Sequence, residues 1–151
     1  MDLPEKTDEK YRNVSLRIPS NARYLKIVRS VLEAVGRMFD FQEHTIQAVL
    51  LATNEACANI INHAYKDEPN HFIYLDIYPS SERIQIELRD NGIKVAPEKI
   101  KPRELGDVRP GGLGIHLMRS LMDEVIFDQN YKPGNKLILI KKRSEKNDKH
   151  S

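Results

Sequence analysis

The segment TIQAVLLATNEACANIINHAY, residues 45–65, carries one formally charged side chain, Glu55, in 21 positions of a chain that is 30% charged. At that composition about six charges belong in a run of this length. Apolar or small residues recur at Ile46, Val49, Leu50, Thr53, Cys57, Ile60, Ile61 and Ala64, the i, i+3, i+4, i+7 rhythm of a helix laid on a core. The segment reads as a buried helix that keeps one carboxylate. Glu55, Asn59 and either Asn62 or His63 follow at helical steps and form a short polar stripe. Ala48, Ala52, Ala56 and Ala58 leave little bulk beside it. Small residues next to a carboxylate and a carboxamide make room for a ligand, whereas a glutamate tied to a lysine or a backbone amide explains Glu55 and Asn59 equally well.

Upstream, Val14, Leu16 and Ile18 alternate with Ser15 and Arg17, a strand closed by Pro19. Ser20 or Asn21 then caps a helix with Tyr24, Leu25, Val28, Val31, Leu32, Val35 and Phe39 at helical spacing. Downstream, HFIYLDIY (71–78) and ERIQIELRD (82–90) alternate as two antiparallel strands turned through Pro79, Ser80 and Ser81. Periodicity fails from Ile93 to Pro110, a stretch with three prolines, and so long a connection inside a compact domain usually serves function as a lid or binding loop. A helical segment follows from Gly112 to Met122, with Leu113, Leu117, Met118, Leu121 and Met122 on one face. Two last strands, near Glu124–Asp128 and Lys136–Lys142, join through Pro133, Gly134 and Asn135. This order predicts an α+β two-layer sandwich, an antiparallel-rich mixed sheet with helices on one face. The domain is expected over residues 11–142, between a flexible N-terminus (1–10) and a flexible, solvated charged tail (143–151).

Length fits a single core, as 151 residues do in one domain. No apolar run is long enough to span a bilayer, and MDLPEKTDEK at the start has no secretory signal character. A cytoplasmic protein without membrane attachment is expected. The single Cys57 excludes an internal disulfide and a cysteine-based zinc site and reads as an inert core thiol. A net charge of +2, from 24 Lys and Arg against 22 Asp and Glu, gives no excess to neutralise phosphates, so direct nucleic-acid binding is not expected. A P-loop is absent, and Gly111-Gly112-Leu113-Gly114 does not make a Rossmann fingerprint.

Asp90-Asn91-Gly92 closes a strand. Such a triplet ordinarily signals a hairpin, yet no strand follows it. A carboxylate there can accept an amino-group hydrogen from a base while the glycine lets the chain pass close to the ring. Gly111, Gly112 and Gly114 stand where the long loop runs into a helix, a place whose backbone N–H groups favour an anion and whose missing Cβ atoms allow close approach. Arg109, just before them, is a secondary candidate for the same anion.

Taken in order, Glu55-Ala-Cys-Ala-Asn59-Ile-Ile-Asn-His63-Ala-Tyr65, then Asp90-Asn-Gly92, then Gly111-Gly-Leu113-Gly114-Ile115 resemble the N, G1 and G2 boxes of the GHKL (Bergerat-fold) ATPases. Within that family they are most similar to the small anti-sigma factor serine kinases, whose N box likewise begins with Glu and runs into His-x-Tyr. The resemblance covers roughly Val14 to Lys142. It implies that Asn59 coordinates Mg²⁺ bridging the ATP phosphates, that Asp90 binds the adenine amino group with Gly92 under the base, and that Gly111, Gly112, Leu113 and Gly114 form part of a phosphate-wrapping lid. It implies that Glu55 is the general base toward a substrate serine, and it places His63 near the phosphate side, where a structural histidine is an equal reading. It further implies a homodimer that holds a sigma factor and phosphorylates a STAS-type anti-anti-sigma protein. Two departures stand out. Gly92-Ile93-Lys94 lacks the second glycine of the G1 box, and Gly134-Asn135-Lys136 stands where many relatives carry Gly-Thr, the threonine joining the water network around adenine.

Other readings make different demands. A nucleotide-gated protein-binding regulator with little or no phosphotransfer has no need of a base at Glu55. A histidine kinase needs a phosphoacceptor helix pair, and His44 near a helix start is a weak substitute. A domain that binds no nucleotide leaves the three boxes without a reason.

Overall fold

The computed structural model describes residues 13–100 and 114–144. Five strands, β1 (Val14–Pro19), β2 (Phe72–Pro79), β3 (Arg83–Asp90), β4 (Glu124–Phe127) and β5 (Asn135–Lys142), form one sheet in the order β1-β2-β3-β5-β4. Every pairing in it is antiparallel, so the sheet is not mixed among the described residues. Strict alternation fixes the register, because a one-residue slip would turn each apolar set to solvent. Leu16, Leu75, Leu88, Leu137 and Phe127 line up across all five strands, and Val14, Ile77, Ile86, Leu139 and Val125 make the next such row. Their central members are fully buried. The other face is polar: Arg89 pairs with Asp76 at 3.2 Å and Lys136 with Glu87 at 3.4 Å.

Two long helices cover the apolar face, α1 (Leu25–Met38) and α2 (Glu43–Asn59). Asn21 rather than Ser20 is the cap: its side chain accepts the Arg23 N–H at 3.0 Å and starts a 3-10 turn, Ala22–Tyr24, ahead of α1. Ser20 is buried and ties β1 to the segment before β2, donating to the Glu68 carbonyl at 2.9 Å and accepting the His71 N–H at 3.2 Å. The helix foreseen over residues 45–65 is α-helical to Asn59 and then widens into a π turn, Ile60–Ala64, with the Tyr65 N–H reaching the Ile60 carbonyl at 2.9 Å. Such widened turns recur at functional sites.

After β3 the chain makes a short helix, α3 (Pro97–Ile100), and resumes at Gly114 with α4 (Ile115–Leu121). The core face of α4 is Ile115, Met118 and Met122, an i, i+3, i+7 set. Leu117, placed on that face by the sequence reading, is 42% exposed, because it lies about 100° around the helix from Met118. β5 then enters the sheet between β3 and β4, which brings the turn after β4 against the end of β3. The charged tail expected to be solvated over 143–151 begins inside the fold, at Arg143. Lys141 and Lys142 complete β5, and Arg143 donates to the carbonyls of Phe39, Asp40, Ser80 and Ser81 with its guanidinium over the Phe41 ring. Residues 1–12 and 145–151 lie outside the described residues.

Candidate functional site

The C-terminal end of α2, the end of β3, the start of β5 and the inner side of α4 surround one cleft. Ala56, Asn59, Ile60, His63 and Ala64 form one wall, Leu88 and Asp90 the floor, and Val95, Met118, Phe127, Asn135 and Leu137 the remainder. A mostly apolar lining with a few convergent polar groups suits a flat, partly polar ring. Ala52 and Ala56 are fully buried. The small side chains that the sequence puts beside Glu55 and Asn59 therefore let α2 lie close to the core.

Of the two candidates after Asn59, the structure selects His63, which lines the cleft, while Asn62 is exposed. Glu55 is half-buried one turn before Asn59. It is not paired with a lysine or arginine among the described residues. Its neighbour is Gly114, whose φ of 64° is left-handed and which caps α4. A Cβ on Gly114 would lie 2.6 Å from Glu55 Cδ and 2.7 Å from Oε2. Residues with a side chain rarely adopt that backbone conformation, and one at this position would displace Glu55. The fourth residue of the Gly111–Gly114 run thus stands directly against the carboxylate. Arg109, Gly111, Gly112 and Leu113 lie outside the described residues.

Asp90 is 1% exposed, a carboxylate at the end of a strand with its backbone in the ladder. Burial is the main influence on its acidity and pushes the carboxyl above the usual range, opposed by hydrogen bonds from the Gly92 N–H at 2.8 Å and the Asn135 carboxamide at 3.0 Å. The backbone around it is fastened from three sides. The Asn91 N–H donates to the Tyr65 hydroxyl at 2.8 Å, the Ile93 N–H to the Ala64 carbonyl at 2.8 Å, and the Val95 N–H to Asn135 Oδ1 at 2.8 Å. Gly92 has a packing reason for its identity: a Cβ there would strike the Ala64 carbonyl. Lys94, at the position of the missing second glycine, donates to the carbonyls of Asp128 and Tyr131 at 3.3 and 2.7 Å and ties the loop to the β4–β5 turn. Sequence reasoning singled out Gly134-Asn135-Lys136 only as a departure from Gly-Thr and gave Asn135 no contacts of its own. It reads as a turn residue after Pro133-Gly134, yet it falls in phase with the inward-facing Leu137 and Leu139, and that phase marks it. Lys136 points away, to Glu87.

No group of three or more His, Cys, Asp or Glu able to hold a metal occurs among the described residues. Nor is any described helix long and apolar enough to cross a membrane. Cys57 is wholly buried, and burial pushes its thiol up to about 12, as an inert core residue requires.

An antiparallel sheet with helices on one face, a buried strand-end carboxylate in an apolar cleft, and a glycine seated on a helical glutamate are the arrangement that the match to an ATPase-class domain accounts for. The family model described as "Histidine kinase-like ATPase domain" matches residues 18–141. Serine-protein kinase RsbW of Bacillus mycoides is 32% identical over 128 residues, 78% of each chain, and the protein of the same name from Bacillus cereus strain Q1 matches to the same extent. The crystal structure of the RsbU and RsbW domains of a Mycobacterium tuberculosis protein shares the fold with a TM-score of 0.62 at 13% identity. The alignment covers 87% of this chain and 32% of that longer one. The chain belongs to the histidine kinase-like (GHKL) ATPase family, and within it to the anti-sigma-factor type of serine-protein kinase.

Proposed function

We propose that the protein transfers the γ-phosphoryl group of ATP to a serine of a STAS-type anti-anti-sigma protein and, as a cytoplasmic homodimer, sequesters a sigma factor until that antagonist displaces it. The observation that carries the catalytic part is the seat of Gly114 against Glu55. It sets the last glycine of a run suited to wrapping phosphate oxygens against the Glu55 carboxylate. The protein-kinase relatives support the reaction, and the sigma and STAS partners follow the family.

In this reading the base of ATP enters the cleft and its amino group donates to Asp90. The donor set also suits a hard cation. Asn59 lines the cleft with a neutral carboxamide and no acidic cage occurs among the described residues, a set that would suit Mg²⁺ held largely by the nucleotide and water. When bound, Mg²⁺ neutralises charge on the phosphate oxygens. The serine hydroxyl oxygen attacks the γ-phosphorus, its proton passes to the Glu55 carboxylate, and the bond from the γ-phosphorus to the β–γ bridging oxygen breaks to release ADP.

Glu55→Ala is expected to slow transfer of labelled γ-phosphate to a STAS substrate by at least about 100-fold, the usual contribution of a positioned base. Calorimetry should find MgATP binding retained. Equal transfer rates in the two proteins would sink the assignment.

A further inference from the structure

Asn135 is the first residue of β5, opposite Asp90 in the β3–β5 ladder and 8% exposed. Its carboxamide has one workable orientation. The nitrogen faces groups that only accept, the Asp90 carboxylate oxygens at 3.0 and 3.3 Å and the Ile93 carbonyl at 2.9 Å, while the oxygen faces a donor, the Val95 N–H at 2.8 Å. Both amide hydrogens are thereby committed. Asp90 Oδ1 also takes the Gly92 N–H at 2.8 Å. Oδ2, reached by the amide only at 3.3 Å, keeps acceptor capacity in reserve among the described residues.

We infer that Asn135 is a positioning residue for base recognition: it holds the Asp90 carboxylate and the Ile93–Val95 backbone in one arrangement and so presets Oδ2 as the acceptor for the amino group of an adenine nucleotide. The inference rests on reading the cleft as an adenine-nucleotide site. An acceptor fixed before binding spares the ligand the cost of ordering it. A threonine has one hydroxyl hydrogen and cannot serve Asp90 and Ile93 together, so asparagine makes directly a set of contacts that a Gly-Thr turn cannot. A ligand with a carbonyl in place of the amino group would meet an acceptor with an acceptor, which the same preset geometry rejects.

The test measures binding of MgATP and of magnesium purine riboside triphosphate, which lacks the amino group, to the full chain by calorimetry. The wild-type protein is expected to prefer ATP by about 10- to 100-fold, the worth of one hydrogen bond to a charged group. In Asn135→Ala the preference should fall to a few-fold, chiefly through weaker ATP binding, and Asn135→Thr should move the same way by less. Lys136→Ala, whose ammonium pairs with Glu87 on the far face of the sheet, should keep the full preference. Circular dichroism identifies which Asn135 variants are folded. An unchanged ratio in a folded variant overturns the inference, and so does an equal loss for both nucleotides, the mark of a merely structural role. A wild-type protein that binds neither nucleotide fails differently, and removes the reading of the cleft together with the inference.

Discussion

Two turns leave the two long central strands, and they are built on opposite plans. The one between β2 and β3 satisfies its own amides within a few residues. The Ser80 N–H donates to the Arg83 carbonyl at 2.9 Å, and Ser80 Oγ accepts the N–H groups of Glu82 and Arg83 at 3.3 and 3.2 Å. Its one distant partner, Arg143, takes carbonyls at its edge. The turn after β3, Asp90-Asn91-Gly92, satisfies itself through partners far along the chain: Tyr65 for Asn91, Ala64 for Ile93, Asn135 for Asp90. Both look like reversals in the sequence. A turn that only reverses direction can be closed by local chemistry, whereas one that holds a buried carboxylate needs donors from elsewhere.

The sharpest way to break the contrast is Gly92→Ala. Its methyl would collide with the Ala64 carbonyl, a backbone atom that cannot swing aside, and overpacking of this kind destabilises by about 3 kcal/mol. Urea denaturation should show that loss. A variant as stable as the wild type would mean that the π turn and the Asp90 turn can slide apart. Tyr65→Phe comes next. The hydroxyl donates to the Phe72 carbonyl at 2.7 Å and accepts the Asn91 N–H at 2.8 Å, so its removal strips two backbone groups at once. A destabilisation of about 1–2 kcal/mol is expected, together with weaker nucleotide binding, because Asn91 adjoins Asp90, the acceptor proposed for the base. Stability lost without any change in affinity would separate the turn from the site.

How far this contrast could be read from sequence depends on which signal each residue sends. The strands announced themselves because alternation is strict where one face is buried, and α2 did so because Glu55 is alone in an apolar run. The stripe on α2 was also legible, since Glu55 and Asn59 lie one α-helical turn apart and their geometry follows from spacing alone. The choice between Asn62 and His63 was not, because it falls in the π turn, where α-helical spacing no longer holds. Leu117 misled because leucines at a four-residue step mimic a core face; the contacts of Met118 set the real one. Asn135 hid behind Pro133-Gly134, two residues that say turn whatever follows them. Its role exists only once β5 has inserted beside β3, and no local pattern encodes that pairing.

The titration of Asp90 probes the same turn more gently. Burial raises its pKa, so as pH falls it takes up a proton before an ordinary carboxylate does. Protonated, it loses acceptor capacity, and nucleotide affinity should fall as pH drops through the raised value. The fall is read as the ratio of wild type to Asp90→Asn, so that the nucleotide's own titration cancels. The stability sign is the reverse of that for a salt-bridged carboxylate. Between the unfolded pKa and the raised folded one the native state binds more protons, so the contribution of Asp90 to stability declines as pH rises through that window and is level above it. A ratio flat with pH would mean that the donors on Asp90 outweigh its burial.

Ser80→Ala tests the local turn and has the smallest expected effect. The hydroxyl bonds lie at 3.1–3.3 Å in an exposed setting, where water can replace each partner. The backbone bond from Ser80 N–H to the Arg83 carbonyl survives the change, and the grip of Arg143 uses carbonyls that alanine retains. A loss of about 0.5 kcal/mol in denaturant is expected, with MgATP affinity unaltered because no atom of this turn lines the cleft. A larger loss would show that the turn depends on Ser80 to keep Arg143 engaged, which would join the two turns mechanically. Arg143 bridges the Ser80–Ser81 carbonyls to those of Phe39 and Asp40, between the helix that precedes α2 and α2 itself. Strain released at Ser80 could then reach the helix that carries Glu55, and the Ser80→Ala protein would lose phosphotransfer as well as stability. Parallel measurement of the two therefore decides whether the local turn is independent of the site.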